Sequence, residues 1–116
     1  MNLIKNIKYK FPNSVLKEAK NLSNKIPDEE YQNRIDFRNI NVFTIDPKTA
    51  KDFDDAVSIQ KLENGNTLIG IHIADVSHFV QPGTQTFKEA EIRGTSVYIV
   101  GKVIPMLPET LSNNIC

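Results

Sequence analysis

The sequence predicts an α+β chain in which an N-terminal amphipathic helix and a linker precede a mixed sheet that contains an antiparallel hairpin and is joined by short helices. Three observations carry this. Val15, Leu16, Ala19 and Leu22 recur at helical spacing. The runs "AVSIQKL" and "TLIGIHIA" flank Asn64 and Gly65, and Asn-Gly between apolar runs is the strongest short hairpin signal, because both turn residues must accept positive φ. Both faces of that hairpin carry apolar residues, which calls for cover on each side.

The elements follow in order. After Phe11 and Pro12, "NSVLKEAKNLSNKI" forms the first helix, with Asn13 or Ser14 as N-cap. "PDEEYQNRIDFRNIN" mixes Pro27 with dense charge and has no clear period, so a linker is expected from Pro27 to about Asn41. "VFTID" opens the β region as a short strand. A two-residue hairpin loop at Asn64 and Gly65 pairs Leu62 with Thr67 and sets Asp54 opposite Asp75. Asp55 then shares a face with Val57, Ile59, His72 and Ala74, and Asp54 with Ala56, Ile69, Ile71 and Ile73; a bulge would shift the pairing by one. "QPG" at Gln81 to Gly83 is a turn, Thr86 to Arg93 a short helix ending at Gly94, and "TSVYIV" a strand of β-branched and aromatic residues. "PETLSNN" starts a helix with Pro108 in its first turn. The pattern breaks off at "IC", as expected of a piece of a longer protein.

At 116 residues, 40% hydrophobic and 24% charged, the chain fits one domain or part of a larger one. Net charge is zero, so no overall basic or acidic character points to nucleic acid or membrane. Its distribution is uneven: residues 1–25 carry six lysines against Glu18 alone, and the remainder is acidic. A lysine-rich arm is a solvated segment or a contact for phosphates. The single cysteine, Cys116, excludes an intrachain disulfide and favours an intracellular setting. "MNLIKNIKYKF" lacks the continuous apolar stretch of a signal peptide, and no segment has the length of a membrane span. A soluble cytoplasmic protein is expected.

"TIDPKTAKDFDDAVS" concentrates Asp46, Asp52, Asp54 and Asp55. Two like charges about 4 Å apart repel by about 1 kcal/mol in water and about 4 kcal/mol at an effective dielectric near 20, so a half-buried cluster needs a cation. The plain reading is a solvated acidic turn. Against it, Asp55 abuts Ala56 and Val57, Phe53 is embedded in the cluster, and Asp46 ends an apolar run, all of which puts the carboxylates near a core. An EF-hand loop starting at Asp52 is rejected, since Ala56 and Val57 stand where that loop needs an oxygen ligand and a glycine. Magnesium or manganese remains, because hard octahedral cations take a few carboxylates plus substrate phosphates, and paired ions would activate water for phosphodiester hydrolysis.

"RIDFRNINVFTIDPKTAKDFDDAVSI", "IGIHIADVSHFVQPG", "RGTSVY" and "IPMLPETLSNNIC" together resemble the start of the catalytic (RNB) domain of the ribonuclease II and ribonuclease R family, with "AKDFDDA" and "HIADVSHFV" closer to the ribonuclease R wording. The likeness runs from about Arg34 to Cys116, which makes residues 34–116 the N-terminal portion of an RNB domain and residues 1–33 a connector helix and linker. It implies a magnesium-dependent, processive 3′→5′ exoribonuclease that hydrolyses RNA to 5′-nucleoside monophosphates. By position, Asp46, Asp52, Asp54 and Asp55 match the family's four catalytic, metal-binding aspartates, and Asp54 the one most tied to catalysis. Tyr98 in "RGTSVY" matches the tyrosine that stacks on a base at the RNA 3′ end; without the resemblance it reads as an ordinary strand aromatic. His72 and His78 read as packing or hydrogen-bonded residues, and Asp75 as a neighbour of the site or a cap for the next turn. The rest of the RNB domain and the cold-shock and S1 domains are expected in the parent chain, which makes this segment inactive by itself. The competing reading is a catalytically silent RNA-binding or scaffold fragment.

Overall fold

A computed structural model describes residues 10–23, 25–50 and 53–116. Lys5 and Lys8 of the basic arm and Asp52 lie outside them. The described chain runs α1 (Asn13–Asn21), α2 (Asp28–Gln32), β1 (Val42–Phe43), β2 (Asp55–Lys61), β3 (Thr67–Ile73), α3 (Val76–Phe79), α4 (Gln85–Arg93), β4 (Val97–Ile99), β5 (Lys102–Ile104) and a π-helical turn at Leu111–Ile115. The α+β class holds, and all strand pairings among the described residues are antiparallel: one sheet in the order β1-β2-β3 and a separate β4-β5 hairpin.

The buried core lies among the helices and the segment that follows β5. Ala19 of α1, Val80 after α3, Leu107 and Leu111 form it, with Phe79, Phe87 and Ala90 packed against them. Helix α1 starts one residue earlier than an Asn13 cap would allow: Pro12 is the cap, with no side-chain cap bond, and its carbonyl accepts from the Leu16 amide at 3.1 Å. The segment expected to be plain linker contains α2, because Pro27 sets an extended N-cap and Asp28, Glu29 and Glu30 place negative charge on the positive end of the helix.

Two charged side chains tie α4 to the segments around it. Glu18 on α1 reaches the start of α4, where its carboxylate accepts from the Thr86 amide and hydroxyl, each at 2.6 Å, and from the Gln85 amide at 3.2 Å. The Thr86 hydroxyl bond above all holds the Glu18 carboxyl below its ordinary range, against the opposing effect of burial. Near the end of α4, Arg93 is buried against Glu89 at 3.0 Å, donates to the carbonyls of Pro105 at 3.1 Å and Lys10 at 3.0 Å, and lies 3.8 Å from the centre of the Phe11 ring.

The hairpin register differs by one residue from the sequence expectation. The Gly65 amide donates to the Leu62 carbonyl at 3.0 Å, Gly65 takes φ 83°, and Leu62 bonds Asn66 at 2.9 Å, so the loop has three residues, Glu63 to Gly65, rather than two. Lys61 therefore pairs with Thr67 and Asp55 with Ile73, and Asp54 stands opposite Ala74 instead of Asp75. The slip exchanges the faces of β3. One face now gathers Phe43, Val57, Ile59, Ile69, Ile71 and Ile73 and is open, with the last three 63, 73 and 69% exposed. The other is small and polar: Ser58 is buried and its Oγ lies 2.9 Å from His72 Nε2, Phe37 packs edge-on to His72, and a Cβ at Gly70 would clash with the Ser58 hydroxyl. Among the described residues no strand of this sheet packs extensively against a helix, and the radius of gyration is 17.6 Å, against about 13 Å for a compact domain of this length.

Replacing Glu18 by Gln is expected to lower stability by about 1–2 kcal/mol at neutral pH, since it removes a charged acceptor from a helix start. Because the folded pKa lies below the unfolded one, this contribution is complete above about pH 4.3 and disappears as pH falls through the folded value. Urea midpoints of the two proteins should converge in acid. Arg93→Met, which strands the buried Glu89 carboxylate, is expected to cost about 3–5 kcal/mol, while the double variant Glu89→Met/Arg93→Met recovers most of the loss; denaturant unfolding of the three proteins checks it.

Candidate functional site

Where the sheet ends and the β4-β5 hairpin meets the C-terminal turn, a cleft of about 770 Å³ opens. Asp54 and Tyr98 both line it. Asp54 immediately precedes β2, and its backbone carbonyl accepts from the Ala74 amide at 2.8 Å, which fixes it to the exit of β3. Tyr98 is the central residue of β4, opposite Val103, and its side chain is 71% exposed rather than packed in a core. The hairpin is closed by Gly101 at φ 72°, and the bond from the Met106 amide to Ser96 Oγ at 2.9 Å fastens its base. Ile73, Ala74, Val76 and Leu107 give the cleft apolar walls, and Ser112 and Asn113 add polar groups. Cys116 lines it too; burial pushes its thiol pKa up, and the charges of Asp54 and Asp75 add to the effect.

Asp46 and Asp55 are not among the residues that line this cleft. Asp46 follows β1 and is exposed. Asp55 opens β2 opposite Ile73, and strand alternation puts it with the open isoleucine face. Asp52 lies outside the described residues. Asp46, Asp54 and Asp55 are all exposed, which corrects the expectation of a half-buried cluster, although Asp54 lines a cleft that Leu107 of the buried core also walls. Carboxylate oxygens are the donor type that magnesium or manganese takes, so the residue types fit such an ion. Among the described residues, no three His, Cys, Asp or Glu side chains converge as a ligand group.

Asp75 caps the next turn. Its Oδ1 accepts from Ser77 Oγ at 2.8 Å and from the His78 amide at 3.2 Å, at the N-cap of α3. Its Oδ2 pairs with Arg34 at 2.8 Å, and Arg34 also pairs with Glu30 at 3.0 Å. The Ser77 hydroxyl first, and the Arg34 guanidinium second, hold the Asp75 carboxyl below its ordinary range. Arg34 is a residue that sequence reasoning did not single out, since its partner is distant in the chain and neither motif names the other. The lining by Cys116 was equally invisible. His72 and His78 are accounted for by Ser58, Phe37 and Phe79.

Residues 34–116 match the RNB domain. The chain belongs to the RNB family. Over 106 residues, 91% of the chain, this RNB segment is 53% identical to ribonuclease R 1 of Lactococcus lactis and 51% identical to ribonuclease R of Thermotoga maritima. It is also 51% identical over 107 residues to DIS3-like exonuclease 2 of Xenopus tropicalis. It spans only 13 to 15% of the length of these relatives. Among solved structures it is similar to Mycoplasma genitalium RNase R in complex with double-stranded RNA, with a TM-score of 0.85 and 34% identity over 95% of this chain and 20% of that one. The apo form of the same enzyme gives a TM-score of 0.80 at 35% identity.

Proposed function

We propose that this RNB segment is the opening part of the catalytic domain of a magnesium-dependent, processive 3′→5′ exoribonuclease that releases 5′-nucleoside monophosphates from RNA in the cytoplasm. Residues 34–116 belong to that catalytic domain, and residues 1–33 connect it to preceding RNA-binding domains. The observation that carries the reading is the shared cleft of Asp54 and Tyr98. A carboxylate that lines the same cleft as an exposed aromatic ring suits a site acting at the end of a single strand: the ring would seat a base, and the carboxylate, its charge offset by a bound divalent cation, would serve the adjoining phosphate. Similarity to RNase R in complex with single-stranded RNA supports the same reading.

Each residue has a definite task. Tyr98 offers a free face for the terminal base, and such stacking is worth about 1–3 kcal/mol per base. Asp46, Asp52, Asp54 and Asp55 would hold magnesium, or manganese in its place, which when bound activates water and neutralises the leaving oxygen. Asp54, tied through its backbone to the end of β3, orients the attacking water against the phosphate. Val76 and Leu107 limit bulk water in the cleft, and Ser112 and Asn113 present hydrogen-bonding groups to the ribose-phosphate chain. Among the described residues no helix is long and apolar enough to cross a membrane.

The test uses Lactococcus lactis ribonuclease R 1 with its matched segment replaced by this one. This chimera is expected to degrade RNA, and Asp54→Asn to abolish turnover while largely preserving RNA binding, which rests on phosphate contacts elsewhere; normal turnover by that variant at saturating magnesium would sink the assignment. Tyr98→Ala should weaken the grip on short RNAs and lengthen the final product, with Tyr98→Phe mild, as gel analysis of end products will show.

The 116-residue chain alone is expected to leave RNA intact, because the sheet that carries Asp55 has an uncovered face and ligands without rigid support lose catalytic placement. Incubating it with 3′-extended, end-labelled RNA and magnesium, beside its Asp54→Asn variant, checks this. Release of monophosphates by the chain and not by the variant would overturn it.

A further inference from the structure

We propose that Asp75 is a positioning residue for Asp54 and that Arg34 holds Asp75 in this task; the proposal deepens the exoribonuclease reading and rests on it. The chain leaves β3 at Ile73 and reverses at once into α3. Within that reversal the Ala74 amide holds the Asp54 carbonyl at 2.8 Å, and the Val76 amide closes back on the Ala74 carbonyl at 2.8 Å. Ile73, Ala74 and Val76 all face the cleft beside Asp54. Asp75, the residue between them, turns its carboxylate to the turn itself and uses both oxygens there: Oδ1 for the Ser77 hydroxyl and the His78 amide, Oδ2 for Arg34. The residue that supports Asp54 is thus flanked by the residue that fixes the reversal.

Arg34 extends the connection. Its guanidinium bridges Glu30, in the short helix α2, to Asp75, so a single side chain ties α2 to the wall of the cleft. Both members of the Arg34–Asp75 pair are about two-fifths exposed, and exposed pairs contribute little to global stability. Its consequence is therefore placement: loss of the cap frees the reversal, the Ala74 bond loosens, and Asp54 departs from its position in the cleft. Residues that orient metal ligands from behind typically alter metal affinity or activity by about 10–100-fold.

The experiment uses the same chimera. Asp75→Ala is expected to lower kcat and raise the magnesium concentration for half-maximal activity, each by about tenfold or more, with the KM for RNA changed by less than about twofold. Asp75→Asn, which retains a capping oxygen but not the charge, and Arg34→Gln, which leaves the cap in place, should both give intermediate losses with an unchanged thermal midpoint. Amide hydrogen exchange at Ala74 should accelerate in Asp75→Ala, a readout independent of turnover. If Asp75→Ala fails to fold, the Asn and Gln variants carry the same test. Unchanged kcat and magnesium dependence in the variants, or unchanged Ala74 exchange, overturns the positioning role. Retained activity in Asp54→Asn instead overturns the exoribonuclease reading, and in that case faster Ala74 exchange still supports the Asp75 clasp while unchanged exchange defeats it.

Discussion

The left-handed backbone of Gly65 is the constraint on which the sheet and the cleft depend. At φ 83° it lets a three-residue loop close between β2 and β3, and that loop length selects one of two registers. In the register adopted, the isoleucines of β3 share the face of Val57 and Ile59, while Ser58, Gly70 and His72 meet on the other. It also brings Ala74, and not its neighbour, opposite Asp54. Had the loop been one residue shorter, the carbonyl of Asp54 would have a different donor and the carboxylate of Asp75 would be aimed at a strand instead of a turn.

The helices reach their arrangement by a different route. Few large apolar side chains are fully buried, and charged contacts at each end of α4 supplement them. At its start the α4 dipole and free amides meet Glu18; towards its end Glu89 and the carbonyls of Pro105 and Lys10 satisfy Arg93. A paired charge inside a small core is tolerable only when its other polar atoms find partners, and here each of the three guanidinium nitrogens has an acceptor. The core thereby orders the C-terminal turn, whose residues close the cleft opposite Tyr98.

Local patterns in the sequence reported local structure well. The period of Val15 and Ala19, the stop at Gly94 and the cap by Asp75 all depend on neighbours within a turn or two. The hairpin was legible as a hairpin, but Asn64 and Gly65 suit both a two-residue loop and a three-residue loop with a bulge, so register was not. Helix α2 was hidden because it has no apolar face; only Pro27 and the acidic first turn announce it. The exposure of the aspartates escaped for another reason: Ala56, Val57 and Phe53 are apolar, yet what covers an apolar face is decided by tertiary packing. Asp54 was legible from its motif. Tyr98 was singled out only through the family resemblance, and that it shares the cleft of Asp54 was not legible, since Asp54 borders one sheet and Tyr98 lies in another.

Arg93 connects the carbonyl of Lys10 to that of Pro105 through one guanidinium, and so joins segments that lie far apart along the chain. Such a closure restricts the chain's entropy strongly before it returns any interaction energy, which places it late in folding. When this side chain withdraws, the approach to α1 and the approach to the C-terminal turn lose their shared anchor together. Those two stretches therefore form a single cooperative unit, and a protease admitted to either would find the other accessible as well.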